Sequence, residues 1–404
     1  MDLLVGDRGG FIYEPRLGVH DSVGEVDFSS MYPSLMAKYN ISAETVLCKC
    51  CPDSPVRVPE LNYHICTKRV GMVPKTVNLA LTKRLHYKHL RDQTSDKHLK
   101  QLYDRRQAAL KWILVTCFGY LGFSNSKFGT VDGHIGVCAF AREAFLKTAR
   151  IAEDSGFEVI HGIVDSLWLT KKDTPIEEYP KLCQKITSEI GVPINFEAHY
   201  KWIAFLPSRM HPHVSVLNRY FGVTDSGKIK VRGLDVRKSD TPKFVYDAQM
   251  EMINALAAAH NSAELTGRIP EALKVVRDYR QRLIAGEIAL SDLIVTKHLS
   301  KNPNHYRQHV SQLIAAEQLQ NQGVEIHAGN NITFLFTHSE NKHHNRRVVA
   351  EQLIEKGVAP DTKKYLLLLY GSAANLLSFR GYTTKSVCEA VNGQSTTTLT
   401  QYLD

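Results

Sequence analysis

Asp27 closes a short apolar run (Val23, Val26) in the stretch VDFSSMYPSL, and two serines, Tyr32 and Pro33 follow it. Asp165 stands similarly in HGIVDSLWL, where apolar residues flank an isolated Asp-Ser. Carboxylates on adjacent strand ends could hold two divalent metals about 3.5–4 Å apart, one activating a nucleophilic hydroxyl and one stabilising the leaving oxygen. The Tyr32 ring would shape a pocket beside them. Each aspartate taken alone is better read as a turn cap, the common use of a lone Asp beside a strand.

A set of cations is spaced to serve such a site. Arg84 and Lys88 are four apart and share a helical face. Arg106 and Lys111 lie about 7.5 Å apart along a helix axis, on rather different faces. Long side chains could converge on one triphosphate, and a solvated basic face is the plainer alternative. Cys48, Cys50, Cys51, His64 and Cys66 supply more ligands than one tetrahedral zinc needs, with Cys48, Cys51, His64 and Cys66 as the candidate set. Partly buried free thiols are the other reading. Cys117, Cys138, Cys183 and Cys388 read as core residues, and His211, His213, His343 and His344 as surface ones.

These residues need elements to hold them. Residues 1–47 read as short strands ending in the Asp27 segment and a short helix from Pro33, and 48–72 as an irregular insert. A helical pair follows, with Pro74 in its first turn and Leu79, Leu81, Leu85 and Leu90 on one apolar side. Ser95 is the expected N-cap of its second helix, which runs to about Phe118. A helix over 136–155 precedes a strand pair at 157–170 around Asp165. Further strands are expected at 202–205, 214–223 and 229–234. From Thr241 the pattern is mainly helical, with one β-like interruption at 324–336.

At 404 residues the chain exceeds one ordinary core, so two or three subdomains are expected. A hydrophobic content of 43% with 23% charged residues excludes a disordered chain. The net charge of +9 points to a polyanionic partner. The apolar stretch 365–379 is too short and too interrupted for a membrane span. MDLLVGDRGG lacks the regions of a signal peptide, so a cytoplasmic setting with reduced thiols is expected.

In this order the motifs resemble family B DNA polymerases, most closely the archaeal ones, over nearly the whole chain. RGGFIYEP and GVHDSVGEVDFSSMYPSLM are similar to the approach to the first palm motif, whose core is D-x-x-S-L-Y-P-S. KWILVTCFGYLG resembles the fingers motif K-x-x-x-N-S-x-Y-G, and HGIVDS the second palm motif Y-G-D-T-D-S. NRYFG is similar to K-K-R-Y, and RGLDVRKSD to K-G-L-E-x-V-R-R-D. HYRQHV and NQGVEIHAGNNITFLF look like the thumb.

The resemblance implies an α+β right-hand polymerase fold: an antiparallel-sheet palm (1–72 and 123–241), helical-hairpin fingers (73–122) and a mostly helical thumb (242–404). It implies template-directed DNA synthesis at a primer 3′ end, with Asp27 and Asp165 binding two magnesium ions. Tyr32 would exclude a ribose 2′-hydroxyl, and the backbone of Ser29, Ser30 and Met31 would help hold the triphosphate. Arg84, Lys88, Arg106 and Lys111 would grip it. Arg219, Tyr220, Arg232 and Gly233 would meet primer–template DNA. The implied partners are DNA and dNTPs, in a nucleoid-associated setting. A separate chain carrying the N-terminal and exonuclease domains is a further expected partner, so no proofreading is expected of this one. A sliding clamp is another, through TTTLTQYLD with Leu399, Tyr402 and Leu403 as anchors.

Departures from the family pattern stand beside these matches. Ile163 replaces the first aspartate of the second palm motif, and Val115-Thr116-Cys117-Phe118 replaces the fingers Asn-Ser-x-Tyr. Leu217 and Asn218 replace the lysines of K-K-R-Y. A catalytically impaired polymerase-fold protein that binds primer–template DNA, or serves as a subunit of a split replication polymerase, is therefore the alternative.

Overall fold

Alternating residues on a strand face opposite ways, and strand β2 (Gly18–Phe28) uses this to separate core from chemistry. Val26 and Phe28 enter the hydrophobic core, while Asp27 between them points to the other face. The computed structural model describes residues 8–393; the expected clamp tail, with Leu399, Tyr402 and Leu403, lies outside them. The chain folds as two compact units. One comprises residues up to Pro15 with Ser22–His199, and the other Arg16–Asp21 with Tyr200 onward.

In the first unit β1 (Ile12–Tyr13), β3 (Glu158–Ile163), β4 (Ser166–Thr170) and β2 form an antiparallel sheet in the order β1-β3-β4-β2. The β2–β4 register pairs Val23 with Thr170 and Asp27 with Ser166. Helix α1 (Met31–Lys38) follows β2 directly, and α2 (Met72–Gln93) and α3 (Lys97–Leu121) form a helical hairpin. Helices α4 (Val131–Asp154) and α5 (Glu178–Ile190) close the core. Their approach to the sheet is tight: a Cβ on Gly162 would meet the Phe145 ring at 2.4 Å, and one on Gly24 would meet Tyr179 at 2.2 Å.

The hairpin departs from the sequence reading in two ways. Leu79 and Leu85 are exposed, and the inward stripe of α2 runs instead through Pro74, Val77 and Arg84. A cation thus continues the apolar row, which a hydrophobicity pattern cannot register. The N-cap of α3 is Asp96 rather than Ser95; its carboxylate accepts from the amides of His98 (2.7 Å) and Leu99 (3.1 Å).

Strand β5 (Ile194–Pro207) begins in the first unit, which holds it through His199, and from Tyr200 it forms an antiparallel meander of the second unit with β6 (Ser215–Thr224) and β7 (Ile229–Arg232). Helices α6 (Lys243–Ala257), α7 (Ser262–Gly267), α8 (Ile269–Ile284), α9 (Ser311–Gln320), α10 (Thr362–Leu377) and α11 (Thr384–Val391) supply its helical part. The β-like interruption is strand β9 (Asn331–Phe336), central in a small sheet between β8 (Val295–His298) and β10 (Val348–Ala350). Those partners are too short to show alternation. Among the described residues no helix is long and apolar enough to cross a membrane.

Candidate active site

Asp165 sits in the two-residue turn between β3 and β4. The turn forces Val164 to φ 55°, a conformation unfavourable for a β-branched residue. Val164 is held there by its amide bonding to Phe11 O at 3.0 Å. The Asp165 carbonyl then accepts from Phe28 N at 2.8 Å, which ties the turn to the end of β2 beside Asp27. One Asp27 carboxylate oxygen accepts from Ser166 Oγ at 2.5 Å. The two aspartates, 138 positions apart in the chain, thereby become neighbours.

Their electrostatics follow from burial. Burial pushes the Asp27 carboxyl up to about 7, against the Ser166 hydrogen bond, and repulsion from Asp165, Glu197 and Glu25 adds to it. Asp165 is also raised by burial, with Lys111 opposing the shift. Glu197 is a carboxylate that the sequence reading missed. It lies on β5 within electrostatic range of both Asp27 and Lys88. The available signal was an isolated acid in the strand-like run INFEAHY, which no spacing rule singles out.

The cations divide. Burial lowers Lys88, with Arg84, Arg91 and Lys111 adding repulsion, so Arg84, Lys88 and Lys111 share one neighbourhood. Arg84 is buried, donates to Ser30 Oγ, and keeps an Nε without a partner. Arg106 is placed elsewhere, over the Tyr87 ring at 5.4 Å. Ser30 adopts φ 54° as it enters α1, and Tyr32 in the first turn meets Phe118 at a centroid distance of 4.3 Å. Phe118 stacks in turn on His134 at 4.2 Å. A cleft of about 480 Å³ is lined by Ser29, Ser30, Lys38, Lys75, Arg84 and Pro193 among others.

The profile of DNA polymerase family B matches residues 6–379. The chain belongs to DNA polymerase family B. Its α+β fold is the right-hand polymerase fold, with an antiparallel-sheet palm, helical-hairpin fingers and a mostly helical thumb. It is 28% identical over 318 residues to a DNA polymerase of Archaeoglobus fulgidus, covering 78% of this chain and 38% of that protein. It is 33% identical to DNA polymerase 2 of Saccharolobus solfataricus, over 71% of this chain and 41% of the other. The solved family B DNA polymerase of Pyrobaculum calidifontis superposes with a TM-score of 0.67 at 25% identity, over 91% of this chain and 46% of that one. The chain thus spans less than half the length of each of these relatives.

The candidate DNA-contacting residues lie in the second unit. Arg219 and Tyr220 are buried. The Arg219 guanidinium donates to Pro207 O and, at 3.5 Å, to Asn375 O. Tyr220 packs on Phe205 at 5.6 Å. Arg232 is exposed opposite Tyr220 in the β6–β7 register. Gly233 has φ 67°, and a Cβ there would lie 2.1 Å from Asn218 O. In the cysteine insert Cys50, rather than His64, completes the cluster: the four sulfurs of Cys48, Cys50, Cys51 and Cys66 lie within 4.8 Å of one another. His64 Nε2 bonds to Cys48 O at 2.8 Å instead.

Proposed function

We propose that this chain carries the synthesis site of its polymerase, adding deoxynucleotides to a primer 3′ end by two-metal phosphoryl transfer. The single observation that supports this reading most is the meeting of Asp27 and Asp165 at one end of the β2–β4–β3 sheet, with Lys111 acting on Asp165. Half-buried, mutually repelling carboxylates are hard oxygen donors that suit a divalent cation such as magnesium. Asp27 and Asp165 would hold two such ions, which when bound activate the attacking hydroxyl and neutralise the leaving phosphate.

The side chains supply position and charge, since phosphoryl transfer asks little covalent chemistry of the protein. The amides of Ser30 and Met31 open helix α1 and present donors to a triphosphate, while the Ser29 amide donates to Pro193 O at 2.8 Å. Arg84, Lys88 and Lys111 neutralise it, and Arg106 joins them when the fingers, residues 73–122, close over a matching nucleotide. Tyr32, braced by Phe118, fills the space a 2′-hydroxyl would need. Buried Arg219 and Tyr220 brace the strand that carries them, and Arg232 and the Gly233 turn meet duplex phosphates, a contact that weakens with salt. The palm is then residues 1–72 and 123–241, and the thumb 242–404.

Ile163 favours a second reading, a non-catalytic polymerase-fold subunit that binds primed DNA, because an apolar side chain occupies a turn position where the family motif is acidic. Primer extension with magnesium, comparing the native chain with Asp165→Ala, separates the two. Extension by the native chain alone supports synthesis. If both are inert while both bind primed DNA, the second reading replaces the first.

A further inference from the structure

We propose that Cys48, Cys50, Cys51 and Cys66 form a closed four-thiolate site for a single tetrahedral zinc ion. The proposal is independent of the polymerase reading, because none of these residues belongs to the synthesis site.

The distances carry it. Cys48 and Cys51 sulfurs are 3.2 Å apart, and Cys50 lies 3.5 Å from Cys48, 3.8 Å from Cys51 and 3.5 Å from Cys66. Cys51 and Cys66 are also 3.5 Å apart. A regular tetrahedron with zinc–sulfur bonds of about 2.3 Å has edges of about 3.8 Å, so the quartet has nearly the dimensions of a mononuclear site. A disulfide would bring two sulfurs to about 2.05 Å, and all four cysteines are free. An iron–sulfur cluster spreads its thiolates over two or more irons, which would space some of them well beyond the mutual reach seen here.

The chain is built to hold this arrangement. Three thiols come from one tight segment, Cys48 to Cys51, and the fourth from the return segment. The bridge between Val46 and Ile65 aligns the two, and Cys66 N donates to Thr45 O at 2.8 Å. Backbone amides of Lys68 and Arg69 donate to the Cys66 sulfur, and that of Thr67 to Cys51. Such amide–sulfur bonds stabilise thiolates and orient them, as the outer partners of metal ligands do. Cys48, Cys51 and Cys66 are buried, while Cys50 is exposed, giving the ion an entry path. Without a cation, four thiols packed this closely gain little beyond weak S–H contacts.

The site would join two parts of the first unit. Asn40, just after α1, donates from Nδ2 to the carbonyls of Cys66 and Arg69, each at 2.8 Å, and its Oδ1 accepts from Gly71 N at 2.8 Å. Helix α2 starts at the next residue, Met72. Zinc would therefore stiffen the link between the helix bearing Tyr32 and the helix bearing Arg84 and Lys88.

Elemental analysis of the native chain, purified without chelator, tests the site directly. About one zinc per chain is expected, falling to background in Cys50→Ser and Cys66→Ser and retained in His64→Gln. Cobalt substitution should give the intense visible spectrum of a tetrahedral thiolate site. Less than about 0.2 metal per folded native chain overturns the proposal. So does stoichiometric iron, or a thiol titration that rises only after reduction. If the serine variants fail to fold, the native metal content and the cobalt spectrum still decide.

Discussion

Ser166 Oγ donates a 2.5 Å hydrogen bond to Asp27 across the β2–β4 pair, at the one register position where the two strands bring a hydroxyl opposite a carboxylate. The bond opposes the upward push of burial on Asp27, and in the proposed metal site it would leave the other carboxylate oxygen to face the ion. Ser166→Ala should lower primer extension about 10-fold and raise the magnesium needed, the usual scale for losing a partner of a metal ligand. Ser166→Thr should restore most of it. A magnesium titration of extension rate checks this, and superimposable curves for native and Ala forms would refute it.

Tyr32 is pinned against Phe118, which is itself stacked on His134. Removing the ring with Tyr32→Ala should raise the use of ribonucleotides relative to deoxynucleotides by at least about 10-fold, the scale of one steric contact in a pocket. Phe118→Ala should raise it less, by loosening the ring rather than deleting it. Competition extension with paired rNTP and dNTP gives the ratio. An unchanged ratio in Tyr32→Ala removes the gate role.

Asp235 links separate segments of the second unit. Its carboxylate accepts from Lys238 Nζ (2.6 Å), Arg209 (3.2 Å) and Asn375 Nδ2 (2.9 Å). Burial would raise its carboxyl, but these partners prevail and hold it below the ordinary carboxylate range. A depressed folded-state value means the ionised group stabilises the fold above the unfolded value of 3.8 and loses that contribution as pH falls through the lower folded value. Asp235→Asn should therefore cost about 2–3 kcal/mol at pH 7, with the gap from native narrowing toward pH 3. Urea melts across that range test it; a gap independent of pH would contradict it.

Gly233 follows strand β7 at φ 67°, with Asn218 O where a Cβ would go. Gly233→Ala should destabilise by about 3 kcal/mol through backbone strain and the clash together. Arg232→Ala, on an exposed neighbour, should leave stability within about 0.5 kcal/mol and reduce DNA binding with a shallower salt slope. Thermal melts and binding isotherms at several salt concentrations distinguish them. Equal stability losses in both would mean Arg232 is structural.

Much of the site was legible because its parts are local. Asp27 and Asp165 each end an apolar run. The order of the motifs carried the family. Patterns broke down where a polar side chain does an apolar side chain's job. Arg84 and Arg219 are buried among core positions, so the stripe of α2 was drawn through exposed Leu79 and Leu85 although Leu81 does pack on the core, and the burial of Arg219 left no mark in the pattern. Asp96 displaced Ser95 as a cap because the two are adjacent and either type can cap; only the backbone path chooses.

The sequence by itself determined which elements form and which family they compose, since periodicity and turn chemistry act within a few residues. Tertiary structure decided which distant groups meet. Strand register placed Asp27 opposite Ser166 and beside the turn of Asp165, and it brought in Glu197, whose own neighbourhood in the chain is unremarked. The fold of the insert chose Cys50 over His64, because the Val46–Ile65 bridge turns His64 toward the Cys48 carbonyl and leaves the fourth corner to a sulfur.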